Sequence, residues 1–341
     1  MTMKKSFWVI SLLISLFSAC NKKDIEFGNQ AEAAPKTPLP SWTDGTVKSS
    51  ILEFIFASTD STKDTFIPRE NRIATFDNDG TLWPENPVYF QLLYAIDYVK
   101  KAAIAKPELK NIEPFSSILN NDIDKVMAGG HASLLQIINY SHAEMTVEDF
   151  ELSVKEWLNS SLHPKFGKPY PELAYLPMLE LMDLLREHGY KVFIISGGGI
   201  DFMRVWATET YGIPSHQIIG SSLKTKYTYD NLGKPILRKE AAVNFIDDAA
   251  GKPVAIHHHI GKRPVFAAGN SDGDYEMLEY TSTNPTGGLS IVIHHTDAIR
   301  EFSYDRDSKI GKLDRGIDDA EKKGWILVDM ASDWEKVFKF Q

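Results

Sequence analysis

Arg72-Ile73-Ala74-Thr75-Phe76-Asp77-Asn78-Asp79-Gly80-Thr81 is the stretch on which the fold turns. Ile73 to Phe76 reads as a short buried strand, and the Asp-Asn-Asp-Gly after it reads as a turn. Two carboxylates, Asp77 and Asp79, therefore sit one residue apart at the C-terminal end of a strand. That edge is where open α/β sheets bind ligands. Acids so close repel unless a cation lies between them or one keeps a proton. The pairing suits a Mg2+ site with one nucleophilic and one proton-carrying carboxyl group. A plain turn is the competing reading, because Asp, Asn and Gly all favour turns.

Downstream, Asn86 to about Pro171 has helical spacing. Leu92, Leu93, Ile96 and Val99 mark one apolar face, and Ile118, Leu119, Ile123 and Val126 mark another. Gly129-Gly130 interrupts the pattern, and Leu134, Leu135 and Ile138 resume it. Thr146 with Asp149 predicts the capped start of a helix carrying Phe150, Val154 and Trp157. A helix over Pro177 to His188 ends at Gly189. Lys191 to Ile195 is a second buried strand, and a helix over 201–211 follows. Lys224 to Leu237 alternates around Asp230-Asn231-Leu232-Gly233, which predicts a hairpin. Val265 to Ala268 and Leu289 to Ile293 are further strands. Upstream, Val47, Ile51, Leu52, Ile55 and Phe56 have helical spacing. Strands alternating with helices predict a doubly wound parallel sheet.

Three more segments carry chemistry. Ser196-Gly197-Gly198-Gly199 ends the second strand and opens a helix, where a hydroxyl and unhindered N–H groups can hold an anion. Lys252 stands at the start of a predicted helix, a poor place for a cation on dipole grounds unless an anion is its partner. Gly269-Asn270-Ser271-Asp272-Gly273-Asp274 follows an apolar strand. His257-His258-His259 point in different directions on a helix and cannot converge on one ion. His294-His295 reads as structural. Ser196 lacks the Gly-x-Ser-x-Gly elbow of a Ser-His-Asp hydrolase.

Taken in order, Asp77-Asn78-Asp79-Gly80-Thr81, Ser196-Gly197, Lys252 and Gly269 to Asp274 resemble the four motifs of the haloacid dehalogenase (HAD) superfamily. The resemblance runs from about Ile73 to Leu278 and points to the phosphoserine-phosphatase-like branch in a secreted form. It implies a Rossmann-like core over 46–85 and 172–341, with a helical cap over 86–171 between the first and second motifs. It also implies a Mg2+-dependent phosphomonoesterase acting on small phosphorylated metabolites. Asp77 would be the nucleophile and Asp79 the acid–base, with the backbone carbonyl of Asp79 on the metal. Ser196, Gly197 and Lys252 would bind phosphoryl oxygens, with Lys262 and Arg263 as alternatives to Lys252. Asn270 stands where the family has a metal-binding Asp. Its amide oxygen is a hard ligand but carries no charge. Asp272 would add the missing charge, and Asp274 would anchor a metal-bound water or the lysine. Asp79 sets the chain apart from the dehalogenase branch, and Asn78 from the P-type ATPases, which have Lys after the first Asp. Glu85 lies near the place of the phosphoserine-phosphatase residue that meets the substrate amine. A phosphocholine-type substrate would instead draw on Trp83, Tyr89 and Trp157 as a cation–π cage. Asn270 also leaves open a non-enzymatic lipoprotein that binds phosphorylated ligands on a decayed HAD core.

The 341 residues carry a net charge of −9, with 43% hydrophobic and 24% charged residues. Such a chain is long enough for a large core. No Lys/Arg stripe marks it for nucleic acid, so an anionic substrate must be attracted locally. Lys4-Lys5, the apolar run Phe7 to Phe17 and Ser18-Ala19-Cys20 read as a signal peptide over 1–20 that resembles a bacterial lipobox. Cys20, the only cysteine, would carry the lipid, and 21–45, with Pro35, Pro38 and Pro40, reads as a tether. The expected address is the bacterial cell envelope, facing the periplasm, with membrane contact only through the anchor.

Overall fold

The computed structural model describes residues 37–341. The signal segment, Cys20 and most of the predicted tether lie outside the described residues. Among those described, no helix is long and apolar enough to cross a membrane.

The core is a seven-stranded sheet in the order β4-β3-β2-β1-β5-β6-β7. Its strands are β1 (Ile73–Phe76), β2 (Lys191–Gly199), β3 (Ile218–Tyr229), β4 (Pro235–Phe245), β5 (Phe266–Gly269), β6 (Leu289–His294) and β7 (Ile326–Asp329). All neighbours are parallel except β3 and β4. β1 lies between β2 and β5 with all four residues buried, as befits a strand covered on both faces; Thr75, its one polar residue, bonds the Phe266 carbonyl. Asp77 N–H still bonds the Ala268 carbonyl at 2.9 Å, which carries sheet order into the first acidic residue. The chain is thus an α/β protein with the predicted doubly wound parallel core. β7, in the short stretch Ile326–Asp329, was not foreseen.

Helices cover the sheet. α1 (Thr46–Thr59) precedes β1, and six helices stand between β1 and β2, the first five being α2 (Phe90–Ala105), α3 (Phe115–Leu119), α4 (Ile123–Ala128), α5 (Gly130–His142) and α6 (Val147–Ser160). Thr146 Oγ1 accepts from Asp149 N–H at 2.9 Å, which caps α6. α7 (Leu176–Glu187) leads into β2, and buries Met178, Leu181, Met182 and Leu185 against the core. The helix expected over 201–211 is two short ones, α8 (Ile200–Arg204) and α9 (Ala207–Tyr211). The break at Trp206 turns its indole inward to stack on Trp83, with centroids 3.8 Å apart. α10 (Gly251–His259), α11 (Tyr275–Ser282), α12 (Arg315–Lys323) and α13 (Met330–Asp333) complete the chain.

The folded body begins earlier than Gly45. Leu39 and Trp42 are buried, Trp42 Nε1–H donates to the Pro177 carbonyl at 2.9 Å, and Ser41 binds Glu180. A Trp and a Leu in one short stretch recover more by burial than they would as spacer, so residues 39–42 of the expected tether belong to the folded body.

The hairpin is longer than predicted. β3 begins beside β2 and then projects with β4 as an antiparallel ribbon, closed by Asp230 Oδ1 accepting from Leu232 and Lys234 N–H. The outer edge of β4 meets the link between α5 and α6. Glu144 N–H donates to the Lys239 carbonyl and Lys239 N–H donates to the Met145 carbonyl, both at 2.9 Å.

Candidate active site

The site lies beyond the C-terminal ends of β1, β2 and β5, where the parallel strands point their last residues into one cavity of about 350 Å3. Asp77 leaves β1 at its floor. Lys252, in the first turn of α10, is 1% exposed and lies 2.6 Å from Asp77 Oδ1, 2.6 Å from Asp274 Oδ1 and 2.9 Å from the Ile195 carbonyl. Three segments far apart in sequence are thereby tied through one ammonium. Burial opposes the charge on Lys252, but Asp274, Asp77 and Asp247 outweigh it and hold the proton more firmly than usual. Lys262 and Arg263 precede β5 and so stand at the opposite edge. Lys262 bonds the Glu70 carbonyl, and Arg263 that of Tyr280.

Asp79 is fixed by a short hydrogen bond from Trp83 Nε1–H to Oδ1, 2.6 Å. The turn between them needs Gly80, whose φ is +76° and whose N–H donates to the Trp83 carbonyl at 2.8 Å. Burial raises the Asp79 carboxyl to about 6, against the pull of Trp83 and Lys252. A carboxyl near that value can both give and take a proton close to neutrality. Burial and the Asp274 charge also push Asp77 up, against Lys252.

Ser196 is buried at the end of β2, and its Oγ accepts from Gly198 N–H at 3.1 Å. A Cβ on Gly198 would stand 3.3 Å from both Asp79 Oδ2 and Ser196 Oγ. Side-chain atoms at that position would crowd the space between the two, so the glycine keeps it open. Gly197 also lines the cavity.

Asp274 Oδ2 accepts from Asn270 N–H at 2.9 Å and Ser271 N–H at 3.0 Å, and its other oxygen faces Lys252. Asn270 is 1% exposed. Its amide oxygen accepts from Thr81 Oγ1 at 3.0 Å and its amide nitrogen donates to Glu85 Oε1 at 2.6 Å. Asp272 does not supply charge to the site. Its carboxylate accepts from Asp314, Arg315 and Gly316 N–H at 3.1, 3.2 and 2.9 Å. It thus satisfies orphan donors at the start of α12, a better use of an acid than facing other acids.

Glu85 also departs from expectation. It is 2% exposed, and Oε1 is already engaged by Asn270 and by Tyr304 O–H at 2.8 Å. Burial, together with Asp79 and Asp77, raises it well above the usual range, against Tyr304 and Asn270. The aromatic cage does not assemble. Trp83 stacks on Trp206 and Trp157 on Tyr170, both in the core, while Tyr89 alone of the three lines the cavity. His257, His258 and His259 are exposed on α10. Among the described residues no three side chains of His, Cys, Asp or Glu gather as a metal cluster.

The donor set nevertheless fits Mg2+. Asp77, Asp247 and Asp274 are buried around one buried ammonium, Lys252, with Asp79 close by and the buried Glu85 beside Asp79 and Asp77. Among the described residues neither carboxylate oxygen of Asp247 has a close hydrogen-bond partner, and burial pushes this acid up to about 7 in spite of Lys252 and the nearby Ser196 backbone. Hard oxygen ligands with negative charge in excess are what a divalent cation requires.

Two further residues at the site, Gln91 and His142, carried no sequence signal. Gln91 Oε1 accepts from Gly199 N–H at 2.7 Å, and its nitrogen lies 2.9 Å from His142 Nε2. His142 Nδ1 lies 2.7 Å from Ser141 Oγ. This chain ties the second motif to α2 and α5. His295 reaches the Gly80 carbonyl at 2.7 Å and Glu301 at 3.0 Å, and so props the first motif from behind. Gln91 and His142 stand alone on amphipathic helices and offer no pattern to find them by, whereas His295 has the structural part read for it.

The family model of haloacid dehalogenase-like hydrolases matches residues 74–279. No curated protein matches the sequence. Among solved structures, a protein of unknown function from Bordetella pertussis Tohama I is 12% identical, with a TM-score of 0.49, over 76% of this chain and 99% of that one. A phosphoserine phosphohydrolase-like protein from Francisella tularensis is 15% identical, with a TM-score of 0.36, over 74% and 98%.

Proposed function

The chain belongs to the haloacid dehalogenase-like hydrolase family, and on that premise we propose that it is a Mg2+-dependent phosphomonoesterase. The observation that supports this most is the floor of the cavity: Asp77 held by Lys252, Lys252 held by Asp274, and Asp79 two residues on with a carboxyl near 6.

Asp77 attacks phosphorus. A bond forms from its carboxylate oxygen to phosphorus as the ester P–O bond breaks, and Asp79 gives its proton to the departing alkoxide. Asp79 then takes a proton from water as that water displaces the aspartyl group and releases inorganic phosphate. Lys252, Ser196 Oγ and the Gly197 N–H offset charge on the transferring oxygens. Mg2+, held by Asp77, the Asp79 carbonyl and groups beside Asn270, would neutralise further phosphoryl charge.

The wall opposite this floor favours small organic monoesters with an apolar body. Leu134, Leu135 and Ile138 of α5, Phe202 of α8 and Phe245 of β4 line it. Phosphoserine remains within the proposal as a substrate; at Glu85 one oxygen, Oε1, is engaged by Asn270 and Tyr304. We also propose a lipid anchor at Cys20 and a periplasm-facing location, resting on the leader sequence alone. Cys20→Ala should then move the protein from the detergent to the soluble fraction.

The test is release of phosphate from p-nitrophenyl phosphate, with and without EDTA. Metal-dependent turnover lost in Asp77→Asn supports the reading. Phosphate binding without turnover would favour the non-enzymatic alternative.

A further inference from the structure

Asn270 brings no charge to the place where the family has a carboxylate, and its amide oxygen already accepts from Thr81. The charge nearest to it is Glu85, 185 positions earlier in the chain, with Oε1 at 2.6 Å from the Asn270 amide nitrogen. The backbone makes room for this pair. A Cβ on Gly80 would lie 2.1 Å from Asn270 Nδ2 and 2.4 Å from Glu85 Oε1, and one on Gly311 would lie 1.7 Å from the same oxygen. Tyr304 O–H completes the hold on Oε1. Every hydrogen bond to the Glu85 side chain among the described residues falls on Oε1, so Oε2 is left without a donor. Glu85 lines the same cavity as Asp77 and Asp79. A buried carboxylate held firmly by one oxygen and bare at the other is built to serve a cation.

We propose that Glu85 supplies the metal with the anionic oxygen that Asn270 lacks. The charge of the divalent-cation site has thereby moved from the loop after β5 to the loop after β1. Asn270 acts as a positioning residue that orients the Glu85 carboxylate. This rests on the Mg2+ reading above and differs from it in which residue carries the charge.

The test is calorimetric titration of Mg2+ alone into the purified protein, for wild type, Glu85→Gln, Asn270→Asp and the double variant, with thermal unfolding in EDTA as the check on folding. Glu85→Gln should weaken Mg2+ by about ten- to a hundredfold, the scale on which ligand charge and its supports tune such sites. Adding Asn270→Asp to Glu85→Gln should recover most of that loss, which a merely structural Glu85 would not allow. Should Glu85→Gln fail to fold, Asn270→Asp alone decides. It should bind Mg2+ more tightly while lowering the unfolding temperature in EDTA, because two carboxylates then face each other. Unchanged Mg2+ affinity in Glu85→Gln, or in Asn270→Asp, overturns the proposal. So does a Glu85→Gln effect confined to turnover of amine-bearing phosphates. If Mg2+ binds both wild type and Glu85→Gln alike and hydrolysis still needs it, only the role of Glu85 falls. If wild type hydrolyses p-nitrophenyl phosphate in EDTA and binds no Mg2+, the metal reading falls with it.

Discussion

Two buried lysines stand on opposite walls of the cavity, and they are buried for different reasons. Lys252 on the floor faces Asp77 and Asp274, with Asp247 near and unpartnered. Lys239 on β4 forms one ion pair with Asp201 and lies 4.7 Å from the centre of the Phe150 ring. On the wall of Lys239 the ammonium has its own carboxylate, Asp201, and the Phe150 ring beside it. On the floor acids outnumber ammoniums. A wall whose charges already balance can shape a ligand but asks for nothing. A wall with surplus negative charge is incomplete without a cation, and a phosphoryl group can then be drawn to that cation. In the proposed reaction the chemistry falls to the floor and selection of the organic group to the other wall.

The sharpest break in this contrast is Asp77→Asn. It should abolish phosphate release while circular dichroism shows the fold intact; turnover that survives would remove Asp77 as nucleophile. Asp79→Asn should follow, with a loss of about 10²–10⁴ in rate, the usual reach of a general acid–base. The loss should be smaller for phenyl than for alkyl phosphates, since a good leaving group needs less protonation. Equal losses would reduce Asp79 to a support.

The lysines themselves give a paired test by urea unfolding. Lys252→Met strands two acids that are 1–9% exposed in their side chains and should cost about 3–5 kcal/mol. Lys239→Met leaves Asp201, whose side chain is 19% exposed, and should cost about 1–3 kcal/mol, the range for one unsatisfied buried group. Equal costs would erase the distinction drawn here.

The smallest effect is in pH dependence. Burial, helped by Lys239, holds His142 down at about 3, whereas an unfolded histidine titrates near 6.5. The unfolded chain therefore binds the proton more readily. The stability from a neutral His142 is fully present above pH 6.5 and is lost as pH falls from there towards 3. By pH 5.5 the loss from this group should be about 1 kcal/mol, at 1.36 kcal/mol per pH unit. In His142→Gln that share of the slope should vanish; an unchanged slope would mean that His142 does not titrate on unfolding.

Much of the floor was legible because its residues are adjacent within short runs. Asp77 and Asp79 follow an apolar strand, Ser196 ends another, and Gly269 to Asp274 a third. The parallel sheet then brings their C-terminal ends to one edge. Lys252 needed the order of the motifs, since no local pattern marks it. The burial of Glu85 was not legible because its partners, Asn270, Tyr304 and Gly311, come from distant segments without periodicity, and because the left-handed turn at Gly80 reverses the loop. Asp272 was misjudged for a related reason: its partners are backbone N–H groups of a helix start more than forty residues away. The cavity wall opposite was legible as helices but not as a wall. Neither Gln91 nor His142 belongs to a motif, and the contact between β4 and the 144–145 link depends on a strand longer than its alternation suggested.

That last contact has a consequence for how the molecule behaves in a crowd. β4 is the end strand of the sheet, and an end strand with free N–H and C=O groups is a template for strands of other molecules. At Lys239 both groups are taken by Glu144 and Met145. The link between α5 and α6 thus acts as a seal against intermolecular strand addition. A protease cut there would loosen that seal and expose the strand, so nicked protein should self-associate before it loses its core.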